Sequence, residues 1–231
     1  MTRGLPIASL TFAGLLVLGA VGQVLAGGVL AFAIPPGLAF VPGHLFGGAD
    51  PGGALQLVAP PATLVTYQFL HVGWLHLIGN LGFLGIFGPN LEATTGPGRW
   101  TALLVITGVA AGFAQAWPDP SSAAPVVGAS GGISGLAGAY LYFHPRDEFH
   151  PPWPGRRALR VPVWAVLAAW LVLQLVAVGW FEGVAGAAAF RAHVGGFACG
   201  LLLAPVLHFI ALSSQDAPPV ARTRTSRDSS H

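Results

Sequence analysis

Apolar residues run along this chain in long stretches that carry few or no charges. A helix needs roughly 20 apolar residues to cross the hydrocarbon core of a bilayer. Six stretches reach or approach that length, so the pattern predicts an all-α membrane protein with six transmembrane helices. The predicted spans are about 6–33, 67–88, 99–117, 130–144, 160–181 and 189–212.

The regions around these spans differ in composition. The first stretch is longer than the apolar part of a secretory signal, and we therefore interpret it as a transmembrane helix. A loop rich in proline and glycine, 35–65, follows it. We expect one membrane domain, 1–212, and a disordered cytoplasmic tail, 213–231, because the tail is rich in serine, threonine, proline and arginine.

The fourth span is short for a membrane crossing. Pro125 and the glycines at 128, 131 and 132 disfavour helix before Ser130. Non-helical backbone at membrane depth survives only where it is buried in protein or lines water. The sequence therefore predicts a short helix that begins below the membrane surface, beside a wet cavity, with Ser130 at its start.

Composition and charge exclude several other classes of protein. The chain is 54% hydrophobic and 8% charged, whereas soluble domains carry about 25% charged residues. A net charge of +2 is too small to suggest nucleic acid. The single cysteine, Cys199, excludes an internal disulfide and a zinc site of paired cysteines.

The arginines predict the orientation. If the N-terminus is cytoplasmic, every arginine except Arg191 lies on the cytoplasmic side. Both termini are therefore expected inside.

Polar side chains within a span are costly, so each suggests a role. In the second span, His76 and Asn80 are four residues apart and share one helical face. His71 lies five residues before His76, about 140° around an ideal helix, and is expected to point elsewhere.

The fourth and sixth spans offer Ser130, Ser134 and His193. Every acidic residue falls in a loop, at a span end or in the tail, so no carboxylate is available at mid-membrane. This favours a serine–histidine pair in which His193 takes the proton of Ser130 during attack and returns it to the leaving amine. Ser134 lacks a glycine before the helix to expose it and is interpreted as a packing residue.

Small residues support this pairing. Gly131 and Gly135 on the fourth span, and Gly196 and Gly200 on the sixth, are spaced to let two helix backbones approach closely. We expect that contact to bring the serine and the histidine within hydrogen-bond reach. Donors for the oxyanion would be the backbone N–H groups that open the fourth helix, the Asn80 amide and the His76 imidazole.

These residues resemble the motifs of the rhomboid family of intramembrane serine proteases, over most of residues 66–205. The matching patterns are His71-x4-His76-x3-Asn80, Gly88-x3-Glu92-x3-Gly96, Gly128-Ala129-Ser130-Gly131 and Ala192-His193-x2-Gly196-x3-Gly200.

The resemblance implies a six-helix core whose catalytic cavity opens to the outer face. It implies that Ser130 is the nucleophile and His193 the base, with His76 and Asn80 as oxyanion donors. His71 would brace the first loop, although it could equally be an interfacial histidine. Substrates would be single-span membrane proteins cut within the lipid bilayer, without metal, nucleotide or other cofactor.

By the same resemblance, Glu92 would tie the second span to its cytoplasmic neighbours.

Two positions depart from the pattern of the family. A Trp-Arg pair of many relatives is replaced by Ala62 and Thr63, which leaves the anchoring of the first loop open. An aromatic residue four positions after the serine is replaced by Ser134, so either another group holds the His193 ring or that ring is looser.

Three other functions fit the sequence less well. A catalytically silent rhomboid-like protein that binds transmembrane helices would lack the serine or the base. A small transporter or channel would show inverted repeats or intramembrane carboxylates. A metalloprotease would need two histidines on one helical face with a catalytic glutamate beside them. The compact core suggests a prokaryotic plasma membrane.

Overall fold

The computed structural model describes residues 4–27, 32–35, 37–47, 57–149, 160–180 and 189–215, and these are mostly helical. A long helix overlaps each of the six predicted spans. They are α1 Ile7–Gly27, α2 Trp74–Thr95, α3 Pro97–Ala116, α4 Ser130–Phe143, α5 Val163–Trp180 and α6 Ala189–Gln215. Short helical turns, Pro42–Leu45 and Pro60–Phe69, lie between α1 and α2.

Several helix ends differ from their predicted positions. Helix α1 is described as far as Gly27, and residues 32 and 33 of the predicted span 6–33 are not helical, in keeping with the two successive glycines at 27 and 28, which weaken helix. Helix α6 continues to Gln215, beyond the predicted boundary at 212, since no glycine or proline occurs between that boundary and Pro218. The rest of the predicted tail lies outside the described residues.

The predicted second span, 67–88, is wrong at its start, because residues 67–73 do not belong to α2. Residues Pro60–Phe69 form a separate helical segment that meets α2 at 85°. The chain turns at Gly73, whose φ of +155° and ψ of 175° do not belong to a helix, and α2 begins only at Trp74. His71 therefore lies in the turn and not on the helix.

Two of the described helices, α1 and the Phe190–Leu212 part of α6, are long and apolar enough to cross a membrane. A third crossing results if the bent pair Pro60–Phe69 and Trp74–Thr95 is counted as one span. The predicted total of six spans, with both termini cytoplasmic, stays a prediction.

Helix α4 lies at the centre of the fold. Each of its residues from Gly131 to Tyr140 is buried, and it packs against α2, α3 and α6. A helix surrounded on all sides needs small side chains, because neighbouring helices must approach from several directions. The run SGGISGLAGA meets that need.

The contact between α4 and α6 is made by backbone. A Cβ atom added to Gly196 would collide with the carbonyl oxygen of Gly131, and one added to Gly200 would collide with that of Gly135. We call this contact the glycine seam. It is the close approach predicted from the spacing of these four glycines, and it holds the start of α4 against the start of α6.

Glu92 joins α2 to α1. Its carboxylate accepts hydrogen bonds from the backbone N–H groups of Ala8 and Ser9, both at 2.8 Å, and from the Ser9 hydroxyl at 2.7 Å. These N–H groups lie in the first turn of α1, where they have no acceptor within the helix and where the helix dipole favours a negative charge. Gly88, one turn earlier, leaves room for Ser9 and for Trp100, whose indole N–H donates to the Gly88 carbonyl at 3.1 Å.

The first loop is anchored without a Trp-Arg pair. Phe40 and Val126 exchange two backbone hydrogen bonds, at 3.1 and 2.7 Å, and the Thr66 hydroxyl donates to the Leu38 carbonyl at 2.7 Å. Ala62 and Thr63 instead form part of the short helical segment before the bend. The loop is thus tied to the strand-like segment that leads into Ser130.

A two-residue antiparallel ribbon, β1 Glu148–Phe149 and β2 Val161–Pro162, lies in the connection between α4 and α5. The all-α prediction did not include it, because two residues are too few to show a strand period.

Candidate active site

Ser130 and His193 meet at the top of the glycine seam. Ser130 is the first residue of α4, and His193 is the fifth residue of α6. The Oγ atom of the serine is 2.7 Å from Nε2 of the histidine. This is within the range in which a hydroxyl donates its proton to a general base, and it is the approach expected from the spacing of the glycines.

The turn before Ser130 depends on Gly128. Its φ of +119° is a conformation that residues with a side chain rarely adopt. A Cβ atom here would also lie 2.6 Å from the His76 ring. The Gly128 N–H donates to the Tyr67 carbonyl at 2.9 Å, and the Tyr67 hydroxyl donates to the Gly108 carbonyl at 2.8 Å. The turn is therefore fastened to the segment before the bend and to α3.

A cavity of about 380 Å³ opens in front of the pair. His76 and Asn80 lie on its wall together with Ser130 and His193, so the predicted shared face of α2 does point at the serine. Within the described residues, His76 Nδ1 and Asn80 Nδ2 are buried without a hydrogen-bond partner. A buried donor without an acceptor is costly, which applies to the Asn80 amide as it stands and to His76 in the tautomer that carries its hydrogen on Nδ1.

His71 does not point away from His76, and that prediction is wrong. The two rings lie 5.2 Å apart in an edge-to-face arrangement. The helical angle does not apply because His71 precedes the turn at Gly73. Its backbone is held by Gln23 of α1, whose amide accepts from the His71 N–H at 2.8 Å and donates to the His71 carbonyl at 2.9 Å and to that of Ala33 at 3.0 Å.

Sequence reasoning missed Gln174 of α5. Its Oε1 atom lies 2.7 Å from Nδ1 of His193, on the side of the ring opposite the serine. The signal was an amide within an otherwise apolar helix, VWAVLAAWLVLQLVAVGW, where a polar group is costly. Gln23 of α1 carries the same signal. In the structure, Gln23 holds the backbone of His71, and Gln174 contacts the ring of His193.

Ser134 takes no part in holding the His193 ring. Its hydroxyl donates to the backbone carbonyl of Ser130 at 2.6 Å, which is a bond within α4. Trp170 and Phe190 lie near the ring instead, with centroids 6.1 and 6.3 Å away. The ring is therefore placed by α5 and by its own helix.

This arrangement suits proton transfer between a hydroxyl and an imidazole. If Nδ1 carries the hydrogen and donates it to Gln174, Nε2 is free to accept the proton of Ser130. Among the described residues, no group of three or more histidine, cysteine, aspartate or glutamate side chains is arranged to hold a metal ion.

Comparison with known proteins gives the family. The family model of the Rhomboid domain matches residues 60–209, which include Ser130, His193, His76, Asn80 and Gln174. The chain belongs to the rhomboid family. Together with its exposed apolar helices, this makes it an integral membrane protein.

The chain is similar to proteins from plants and from bacteria. It is 32% identical over 145 residues to RHOMBOID-like protein 5 of Arabidopsis thaliana, covering 62% of this chain and 43% of the relative. It is 29% identical over 140 residues to the rhomboid protease GlpG of Pectobacterium atrosepticum, covering 60% and 46%. The GlpG protease of Yersinia pestis is 31% identical over 141 residues, covering 61% and 46%. The chain thus spans less than half the length of these relatives.

Proposed function

We propose that this protein is an intramembrane serine endopeptidase that hydrolyses peptide bonds in or near transmembrane segments. Ser130 is the nucleophile and His193 the general base, and His76 and Asn80 stabilise the oxyanion. The 2.7 Å contact between Ser130 Oγ and His193 Nε2, at the edge of a cavity between helices, carries this proposal. Membership of a family that includes rhomboid proteases supports it.

In the proposed reaction, His193 removes the Ser130 proton as the oxygen attacks the scissile carbonyl carbon. The negative charge that forms on the carbonyl oxygen is met by the His76 imidazole, the Asn80 amide and the first N–H groups of α4, which have no acceptor within the helix. The imidazolium then gives its proton to the leaving amine, and water hydrolyses the acyl-enzyme by the same route.

The proposal includes the membrane arrangement. Six helices cross the bilayer with both termini in the cytoplasm, and the cavity opens to the opposite face. The substrate is a single-span membrane protein whose helix unwinds beside the cavity, since an extended segment must reach Ser130. Glu92 joins α1 to the end of α2 that lies away from the cavity, and the contacts of Phe40 fasten the first loop to the segment that leads into Ser130.

Cleavage of a reporter transmembrane protein in liposomes tests the proposal. The wild type should cut it, while Ser130→Ala and His193→Ala should each lower the rate by about 10⁴-fold or more. Ser121→Ala, in an exposed loop, serves as the matched control and should cut like the wild type.

Equal cleavage by all of these variants would contradict the proposal. Binding of the reporter by the wild type without any cleavage would favour the silent helix-binding protein instead.

A further inference from the structure

We propose that Gln174 is a positioning residue that holds His193 in the tautomer and orientation needed to accept the Ser130 proton. This inference rests on the proposed function, because it assigns a third member to the same site. Gln174 lies on α5, outside the glycine seam, and its Oε1 atom is 2.7 Å from His193 Nδ1.

The bonding pattern of the ring requires such a partner. A neutral imidazole carries one hydrogen, and Nε2 can accept the serine proton only if that hydrogen is on Nδ1. An N–H group removed from water needs an acceptor, or the other tautomer gains in population. Gln174 Oε1 is that acceptor. In the other tautomer, Nε2–H would face the serine oxygen and could not receive its proton.

A neutral acceptor suits the surroundings better than a carboxylate. The neighbours of Gln174 on α5, Leu173 and Leu175, are 66% and 53% exposed and carry no polar group. An ionised carboxylate in an apolar environment would carry a large desolvation cost. The amide fixes the hydrogen on Nδ1 without bringing a charge into the membrane domain.

Gln174 also provides support for the His193 ring that Ser134 does not give. With no aromatic side chain one turn after the serine, the ring needs support from elsewhere. Gln174 and Trp170 are four residues apart and so lie on the same face of α5. Gln174 contacts Nδ1 of the His193 ring, and the ring centroid of Trp170 lies 6.1 Å from that of His193. The base is therefore oriented by a helix that contributes neither the nucleophile nor the base.

Three variants on α5 test the assignment. Gln174→Leu keeps the size of the side chain and removes the acceptor, whereas Gln174→Glu keeps an oxygen acceptor. Leu173→Ala is the matched control, on an exposed position next to Gln174. Each is compared with the wild type for kcat and KM on the transmembrane reporter. ¹⁵N NMR of the His193 ring, assigned through His193→Ala, reports which nitrogen carries the hydrogen.

We expect Gln174→Leu to lower kcat about tenfold, the effect of losing one hydrogen bond. KM should stay unchanged, and the Nδ1–H tautomer of His193 should lose population. Gln174→Glu should keep the Nδ1–H tautomer and lose less kcat than Gln174→Leu, because it retains an oxygen acceptor, and Leu173→Ala should behave as the wild type. A dominant Nδ1–H tautomer and wild-type kcat in Gln174→Leu would overturn the assignment. So would an equal loss of kcat in Leu173→Ala.

The two proposals can fail separately. If the wild type cuts no reporter, the proposed function fails, but the ring spectra still show whether Gln174 controls the tautomer. If the wild type cuts and the spectra do not change in Gln174→Leu, only the role of Gln174 fails.

Discussion

The glycine seam and the walls of the cavity place the reactive groups in different ways. Along the seam, Gly196 and Gly200 press against the carbonyl oxygens of Gly131 and Gly135, so backbone meets backbone. On the walls, α2 contributes the polar side chains of His76 and Asn80, and α5, whose Trp170 lines the cavity, places Gln174 against Nδ1 of His193. In the proposed mechanism, the seam sets the distance between serine and histidine, and the side chains around the cavity set the orientation of the base and stabilise charge.

This difference predicts two kinds of failure. A backbone carbonyl packed against a glycine has no rotamer with which to evade an added side chain, and close-packed interiors transmit such strain. A wall side chain can be replaced without moving a helix. Changes in the seam should therefore destroy the site as a whole, whereas changes on the walls should remove one contribution each.

The largest effect is expected for Gly196→Val. The added side chain would collide with the Gly131 carbonyl and separate α4 from α6. We expect a loss of about 3 kcal/mol in the free energy of unfolding, and cleavage no faster than that of Ser130→Ala. Thermal unfolding in detergent and the reporter assay measure the two quantities.

Gly85→Val is the matched control for that change. Gly85 lies on α2 with no atom within 4 Å of an added Cβ, and it is exposed. It should keep the unfolding temperature and the activity of the wild type. If both glycine variants behaved alike, the seam would not be the element that sets the site.

A smaller effect is expected for Asn80→Ala. Removing one oxyanion donor typically costs about 10²–10³ in rate. Because the amide would act on the transition state, kcat should fall while KM and the unfolding temperature stay unchanged. The same residue type on the same helix gives the control, since Asn90→Ala lies outside the cavity. A rise in KM with unchanged kcat would show that Asn80 binds the substrate instead.

The smallest of these effects is the tenfold loss expected for Gln174→Leu. The three variants therefore test three different contributions. Gly196→Val tests the helix contact that positions Ser130 and His193, Asn80→Ala tests stabilisation of the oxyanion, and Gln174→Leu tests the tautomer of His193.

The parts of the site that follow from local spacing could be predicted from sequence. Proline and glycine before Ser130 mark the start of α4, and the spacing of four glycines indicates the seam. His76 and Asn80 share a face because they lie within one regular helix. In each case, the prediction uses only the spacing of residues within a single helix.

The remaining features depend on how elements meet. The bend at Gly73 takes His71 off the helix, so its direction could not be obtained from a helical angle. Gln174 is an amide that no motif marks, and its role appears only when α5 lies beside α6. The number of membrane crossings also stays a prediction, since short helices such as α4 lack the length that marks a span.

Labelling with a fluorophosphonate probe tests the central claim most directly, because it needs no substrate. The account predicts covalent modification of Ser130 in the wild type and its loss in His193→Ala, as an unactivated serine hydroxyl is a weak nucleophile. Mass spectrometry of the labelled chain identifies the modified residue. Unchanged labelling in His193→Ala, or modification of Ser134 in place of Ser130, would contradict the account.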